Sequence, residues 1–183
     1  KNERLKMKNL GSMAVLYRTN AQSRAIEQNL IVNKIPYRIF GGIRFYERKE
    51  IKDVVAALRL ANNPQDSVSA ERLLKNLPKK TALYVISEMP QAAKKLNLLE
   101  LISFFLKQTD YFAYLEKSEK NADERIENIN ELILFAGTFT DKDNPSENVL
   151  GNFLEQVSLM TSADKPSSRN KELGIRNKGD EVN

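Results

Sequence analysis

MAVLYRTNAQSRAIEQNLIVNKIPYRIFGG, residues 13–42, decides how the rest of the chain reads. Its first six residues form a short apolar run ending in polar ones, the pattern of a buried strand. Thr19 then opens a helix: with Gln22 three residues on it makes a capping box, and Asn20 is an alternative cap. Ala25, Ile26, Leu30 and Ile31 carry that helix forward, and it stops before Pro36. Pro36–Phe40 is a second strand candidate, closed by Gly41 and Gly42. Strand, helix and strand within about 30 residues predict a compact α/β unit with a parallel crossover.

From Arg44 the texture changes. Ile51, Val54, Val55 and Leu58 follow the i, i+3, i+4, i+7 spacing of a helix with one buried face, ended by Asn62-Asn63-Pro64. Ile126, Ile129 and Ile133 mark another amphipathic helix, and Leu150, Phe153, Leu154 and Val157 a further one. LNLLELISFFL, residues 96–106, is apolar enough to be deeply buried. No glycine occurs between Gly42 and Gly137. The stretch from about 47 to 161 therefore predicts a helical domain of about five to seven helices. The last residues, TSADKPSSRNKELGIRNKGDEVN, have little to bury and read as a connecting segment. The fold class expected is mainly α, a helical domain attached to a small strand-helix-strand piece.

Composition narrows the function. The 183 residues contain neither cysteine nor histidine, which removes disulfides, thiolate and imidazole metal sites, Cys nucleophiles and His bases together. No apolar run approaches the roughly 18 residues of a membrane span, and no signal peptide opens the chain. No phosphate-cradling G-x-x-x-x-G-K-[ST] loop and no G-x-G-x-x-G fingerprint is present. The net charge of +5 is unevenly spread: residues 14–60 hold nine Lys/Arg against four Asp/Glu, and residues 100–147 five against eleven. Such asymmetry suits an anion-facing front and an acidic back, although solvated helix faces of either sign give the same count.

Tyr17-Arg18-Thr19-Asn20 is the most informative segment. A turn between a strand's carboxyl end and a helix's amino end offers backbone N–H groups and a positive dipole to an anion. Arg18 adds a planar donor fork suited to phosphate, and Asn20 can donate to a phosphate or a base edge. Position alone leaves open that Thr19 or Asn20 only caps the helix while Arg18 forms a surface ion pair. Glu50 and Asp53, spaced among Lys49 and Lys52, read as an ion-paired helix face rather than a catalytic pair.

AVLYRTNAQSRAIEQNL and GGIRFYERKEIKDVVAALRLANNPQD resemble two consecutive blocks of the UvrD/Rep/PcrA-type superfamily 1 DNA helicases. DERIENINEL, residues 123–132, and FLEQVSLMTSAD, residues 153–164, are weaker echoes in the same order. The resemblance implies a piece of an ATP-dependent helicase that moves 3′ to 5′ along single-stranded DNA. On this reading residues 1–13 are a basic leader and 14–45 part of the second RecA-like motor domain, 2A. Residues 46–170 are its helical accessory domain, 2B, and 171–183 a polar return segment toward 2A. The implied DNA-binding residues are Arg18, Thr19 and Asn20 on the single strand, with Lys79 and Lys80 toward duplex. Gly41 and Gly42 would form a hinge, and Arg48, Glu50 and Asp53 would hold the first accessory helix against the motor domain by ion pairs.

The resemblance places ATP and Mg in the intact enzyme and implies no cofactor or metal site in this chain, which should be inactive alone. The expected partners are single-stranded DNA, with duplex DNA and proteins as further candidates, in the cytoplasm and with no membrane. One departure stands out. The family carries a Gly-Ile-Gly hairpin early in the accessory domain, whereas LLKNLPKKTALYVIS, residues 73–87, has no glycine from which to fold a phosphate nest. The rival class is a non-enzymatic helical module that binds a protein through its acidic helices.

Overall fold

The computed structural model describes residues 13–19, 22–33, 35, 37–39, 42–118, 120–139 and 148–162. Its first helix, α1, is Ser23–Val32, and a short 3-10 turn, Phe45–Glu47, leads into α2, Lys49–Asn62. Then follow α3 (Ser67–Asn76), α4 (Lys79–Ala92), α5 (Leu98–Gln108), α6 (Tyr111–Ser118), α7 (Ala122–Gly137) and α8 (Val149–Ser162). Seven described helices from residue 49 onward agree with the helical domain expected there. None of them is long and apolar enough to cross a membrane.

Local sequence sets most of the boundaries. Asp66 caps α3, accepting from the Ser69 N–H at 3.0 Å and from its hydroxyl at 2.7 Å. Asn97 and Glu100 form a reciprocal capping box at the start of α5. Asp110, at φ 47°, occupies the left-handed conformation that turns the chain from α5 into α6, a place where a short polar side chain is tolerated. Pro78 precedes α4, where its missing N–H costs nothing.

The α2 helix is the axis of the bundle. It packs against α3, α4, α5, α7 and α8 and buries Ile51, Val54–Leu58, Leu60 and Ala61 together with Glu50 and Asp53. The periodicity predicted one buried face; the structure surrounds the helix, because Ala56, Ala57 and Ala61 let neighbours approach on the remaining sides. Around it lie Leu73, Met89, Leu101, Ile102, Phe105 and Phe153, all fully buried. Tyr46, Phe135, Phe139 and Phe153 pack as an aromatic group, mostly edge to face, near the α7–α8 end.

The strand-helix-strand expectation is not met among the described residues. Neither 13–19 nor the described part of 35–39 forms a strand. A strand's N–H and C=O groups need a neighbouring strand, and no described segment lies alongside to supply one. Met13, Val15 and Leu16 are correspondingly exposed, Leu16 at 93%. Asn20, Gly41, the leader before Met13 and the segment 171–183 lie outside the described residues.

Burial also sets a pH dependence. It pushes the Tyr46 phenol from 10.0 up to about 12, with the nearby Arg24 guanidinium pulling the other way. Tyr111 is raised too, by burial and then by the Asp53 carboxylate, which accepts its hydroxyl at 2.8 Å. A phenol with a raised folded-state pKa contributes stability below about pH 10 that is lost as the pH climbs toward 12. The thermal midpoint should therefore fall over that window, and fall less in Tyr111→Phe. At neutral pH the same variant should lose about 1.5–3 kcal/mol in urea unfolding, the worth of a hydrogen bond to a buried carboxylate.

Candidate nucleic-acid interface

The turn before α1 is organised by Gln22 rather than by Thr19. The Gln22 side-chain carbonyl accepts from the backbone N–H of Arg18 at 3.0 Å and of Thr19 at 3.3 Å, and the Gln22 backbone N–H donates to the Thr19 carbonyl at 3.2 Å. This is the backward-reaching half of the predicted capping box, with the helix starting at Ser23. Two of the N–H groups available to an anion at this corner are thus already used. The Arg18 side chain is exposed and Thr19 is half-buried, so the corner remains open to solvent.

The helix behind this turn faces the bundle with its polar side. Its buried residues are Ser23 and Glu27, while Ala25 and Val32 are exposed. Arg48, at the head of α2, donates to Ser23 Oγ at 2.8 Å, to Asn128 Oδ1 on α7 at 2.6 Å, and to the Ile43 carbonyl at 3.2 Å. Its guanidinium lies over the Phe45 ring. Burial lowers its pKa, opposed by Glu27, Glu50 and Glu124. Both oxygens of Glu27 accept from the Phe45 N–H at 3.3 Å. Arg24 pairs with Glu131 of α7 at 2.6 Å and stacks over Phe135.

Of the three residues expected to tie α2 to the segment before it, Arg48 makes that contact. Glu50 finds Arg125 at 2.9 Å and Asn128 at 2.7 Å, both on α7. Asp53 binds Arg72 and Asn76 of α3 and Tyr111 of α6, each at 2.8 Å. Those two carboxylates therefore hold helices of the bundle to one another. Gly42 lies in a bend and is exposed.

Lys79 and Lys80 are exposed at the amino end of α4, where no side chain caps the helix. The link from α3 runs through Leu77 and Pro78, both extended. A phosphate nest requires a left-handed residue, and among the described residues Asp110 alone of the non-glycines is left-handed. The α3–α4 link thus presents charge without a preformed cradle.

The sequence has no phosphate loop, and among the described residues no group of acidic side chains could hold a cation. Sequence reasoning missed Ser23, Arg24, Glu27 and Glu131. The signal was present in the i, i+4 spacing of Ser23 and Glu27, but the usual expectation of apolar residues inward hid it.

A family model described as the UvrD-like helicase C-terminal domain matches residues 1–122. An "ATP-dependent DNA helicase UvrD1" of Mycobacterium tuberculosis is 34% identical over 84% of this chain and 27% of its own length. An "ATP-dependent DNA helicase PcrA" of Bacillus subtilis is 32% identical over 90% and 28%. A "DNA helicase II" of Haemophilus influenzae is 34% identical over 86% and 28%. The chain thus spans a little over a quarter of the length of these relatives. The first alignment is 210 positions long, more than the 183 residues here, so that relative carries residues across it that this chain lacks.

Gln22→Ala removes the acceptor shared by the Arg18 and Thr19 amides. Both should lose protection in amide hydrogen exchange, with a stability cost of about 0.5–1 kcal/mol, typical of a lost cap.

Proposed function

The chain belongs to the family of UvrD-like helicase C-terminal domains, and from that premise we propose that it serves an ATP-dependent, 3′-to-5′ DNA helicase of the UvrD/Rep type. Residues 14–45 are assigned to the second motor domain, 2A, and residues 46–170 to the helical accessory domain, 2B. The segment 171–183 leads back toward 2A. Support for that division comes from the outward apolar side of the first segment. Met13, Val15, Leu16, Val32 and Ile43 are all more than half exposed, a surface that the sheet of a RecA-like motor would cover.

The observation that carries the reading is the open corner at Arg18. A charged fork free to reach solvent, on the turn before a helix, suits the backbone of a single strand. Arg18 would bind phosphate, and Thr19 and Asn20 would complete the contact. Lys79 and Lys80 would add screened, geometry-free attraction to duplex. Gly41 and Gly42 would allow the two domains to turn, and exposed acidic residues of the bundle would meet protein partners. ATP and Mg would bind elsewhere in the intact cytoplasmic enzyme, so the chain alone should hydrolyse no ATP.

Labelled single-stranded DNA titrated with the 183-residue chain at several salt concentrations tests this. Binding should be weak and strongly salt-dependent. Arg18→Ala should weaken it and reduce the log–log salt slope by about 0.7, the value for one phosphate contact on a single strand. Unchanged affinity and slope would remove Arg18 from the strand contact. A Lys79→Ala/Lys80→Ala variant should weaken duplex binding and leave single-strand binding nearly intact.

A further inference from the structure

Short polar contacts tie α7 to the first turn of α1, and others tie the residue just before that turn to Arg18. One oxygen of Glu131, Oε1, accepts from the Nε/Nη2 edge of Arg24, Nη2 at 2.6 Å and Nε at 2.7 Å. The Arg24 fork is fixed further by Gln28 Oε1 at 2.8 Å, one turn on along α1, and by the Phe135 ring beneath it at 5.0 Å. The side chains of Arg24 and Glu131 are only 12% and 23% exposed. Two residues before Arg24, Gln22 holds the backbone N–H groups of Arg18 and Thr19.

Apolar packing cannot fix this end of α1. Among the residues of α1, Ile31 packs against the hydrophobic core, and it sits in the last turn, far from Ser23. The first turn is positioned by Ser23 on Arg48 and by Arg24 on Glu131. The second of these joins two guanidinium N–H groups to one carboxylate oxygen and is largely buried. Such a pair specifies orientation in a way that a screened surface pair does not.

We propose that Arg24 and Glu131 are positioning residues for the strand-contact turn. The ion pair anchors the first turn of α1 on α7 and thereby sets the direction in which Arg18 is presented. The proposal rests on the strand-binding reading of Arg18. Neither residue touches DNA; both act through Gln22 and the start of the helix.

Glu131→Gln in the full 183-residue chain is the decisive variant. It makes the chain more basic, which by itself would tighten DNA binding, so a loss of affinity cannot arise from net charge. Single-strand affinity should fall about five- to tenfold, within the range of couplings between linked sites. The salt slope should stay unchanged, because no phosphate contact is removed, whereas Arg18→Ala lowers it. Amide exchange at Arg18 and Thr19 should quicken about tenfold, as expected of a locally opened segment.

The exchanged pair Arg24→Glu/Glu131→Arg should recover most of the affinity and protection, because the guanidinium moved to α7 can still lie over Phe135, four residues on along the same helix. Unchanged exchange and affinity in a folded Glu131→Gln chain would overturn the proposal, as would an exchanged pair that folds yet recovers neither. Should the parent chain bind no single-stranded DNA, the reading of Arg18 fails. Amide exchange at Arg18 and Thr19 then still decides whether the pair positions the turn.

Discussion

Arg48 is the constraint on which the arrangement depends. A guanidinium that is only 6% exposed must be surrounded by acceptors, since an unpaired buried charge costs several kcal/mol. Acceptors from three separate places meet it: Ser23 on α1, Asn128 on α7 and the Ile43 carbonyl before the 3-10 turn. Asn128 is the joint. Its amide oxygen accepts from Arg48 while its amide nitrogen donates to Glu50 at 2.7 Å. Two opposite charges on α2 thus fix which way that amide points. An aspartate there would face Glu50, and a leucine would leave both charges short of a partner.

From that joint the polar groups of α2 proceed by helical spacing. Glu50 and Arg125 bring α7 in; Asp53, one turn further, takes Arg72, Asn76 and Tyr111 and so sets α3 and α6. Apolar burial around the rest of α2 supplies the larger share of the driving force, but it is non-directional. The charged stripe contributes register. It tells each neighbouring helix where along α2 to sit, a role for buried polar groups that depends on every member being satisfied.

Much of this was legible in the sequence. The helical region, the end of α2 at Asn62 and the apolar LNLLELISFFL segment followed from spacing and turn chemistry. Helix periodicity is local, so it survives without knowledge of neighbours. The two strands are not formed among the described residues, because a strand depends on a partner from elsewhere, and apolar runs such as Met13–Tyr17 announce only that cover is wanted. The inward polar face of α1 was equally hidden. Ser23 and Glu27 are ordinary surface residues until Arg48 and the Phe45 N–H, both more than fifteen positions away, are brought against them. At the candidate site, residue type and position made Arg18 a candidate while leaving a surface ion pair open. The use of the Arg18 and Thr19 amides by Gln22 was not legible, because either residue of a capping box can supply the stronger half.

The two sides of α1 differ in kind, and that difference bears on how the parts would work together. Toward the bundle, its first turns are held by directional contacts, each requiring one geometry and each weakened by rearrangement of a single side chain. Away from the bundle, the segment from Met13 to Ile43 exposes large aliphatic groups, which favour any well-fitting apolar cover and lose little when that cover shifts slightly. On the proposed assignment, the strand-contact turn would be bound to the motor by tolerant apolar burial and to the bundle by exacting polar contacts. An interface of the second type has few intermediate positions: it is either made or broken. A bundle attached in this way would favour the orientation in which Arg24–Glu131 and Arg48–Ser23 are made together, because a displacement of α1 beyond the reach of those side chains loses both.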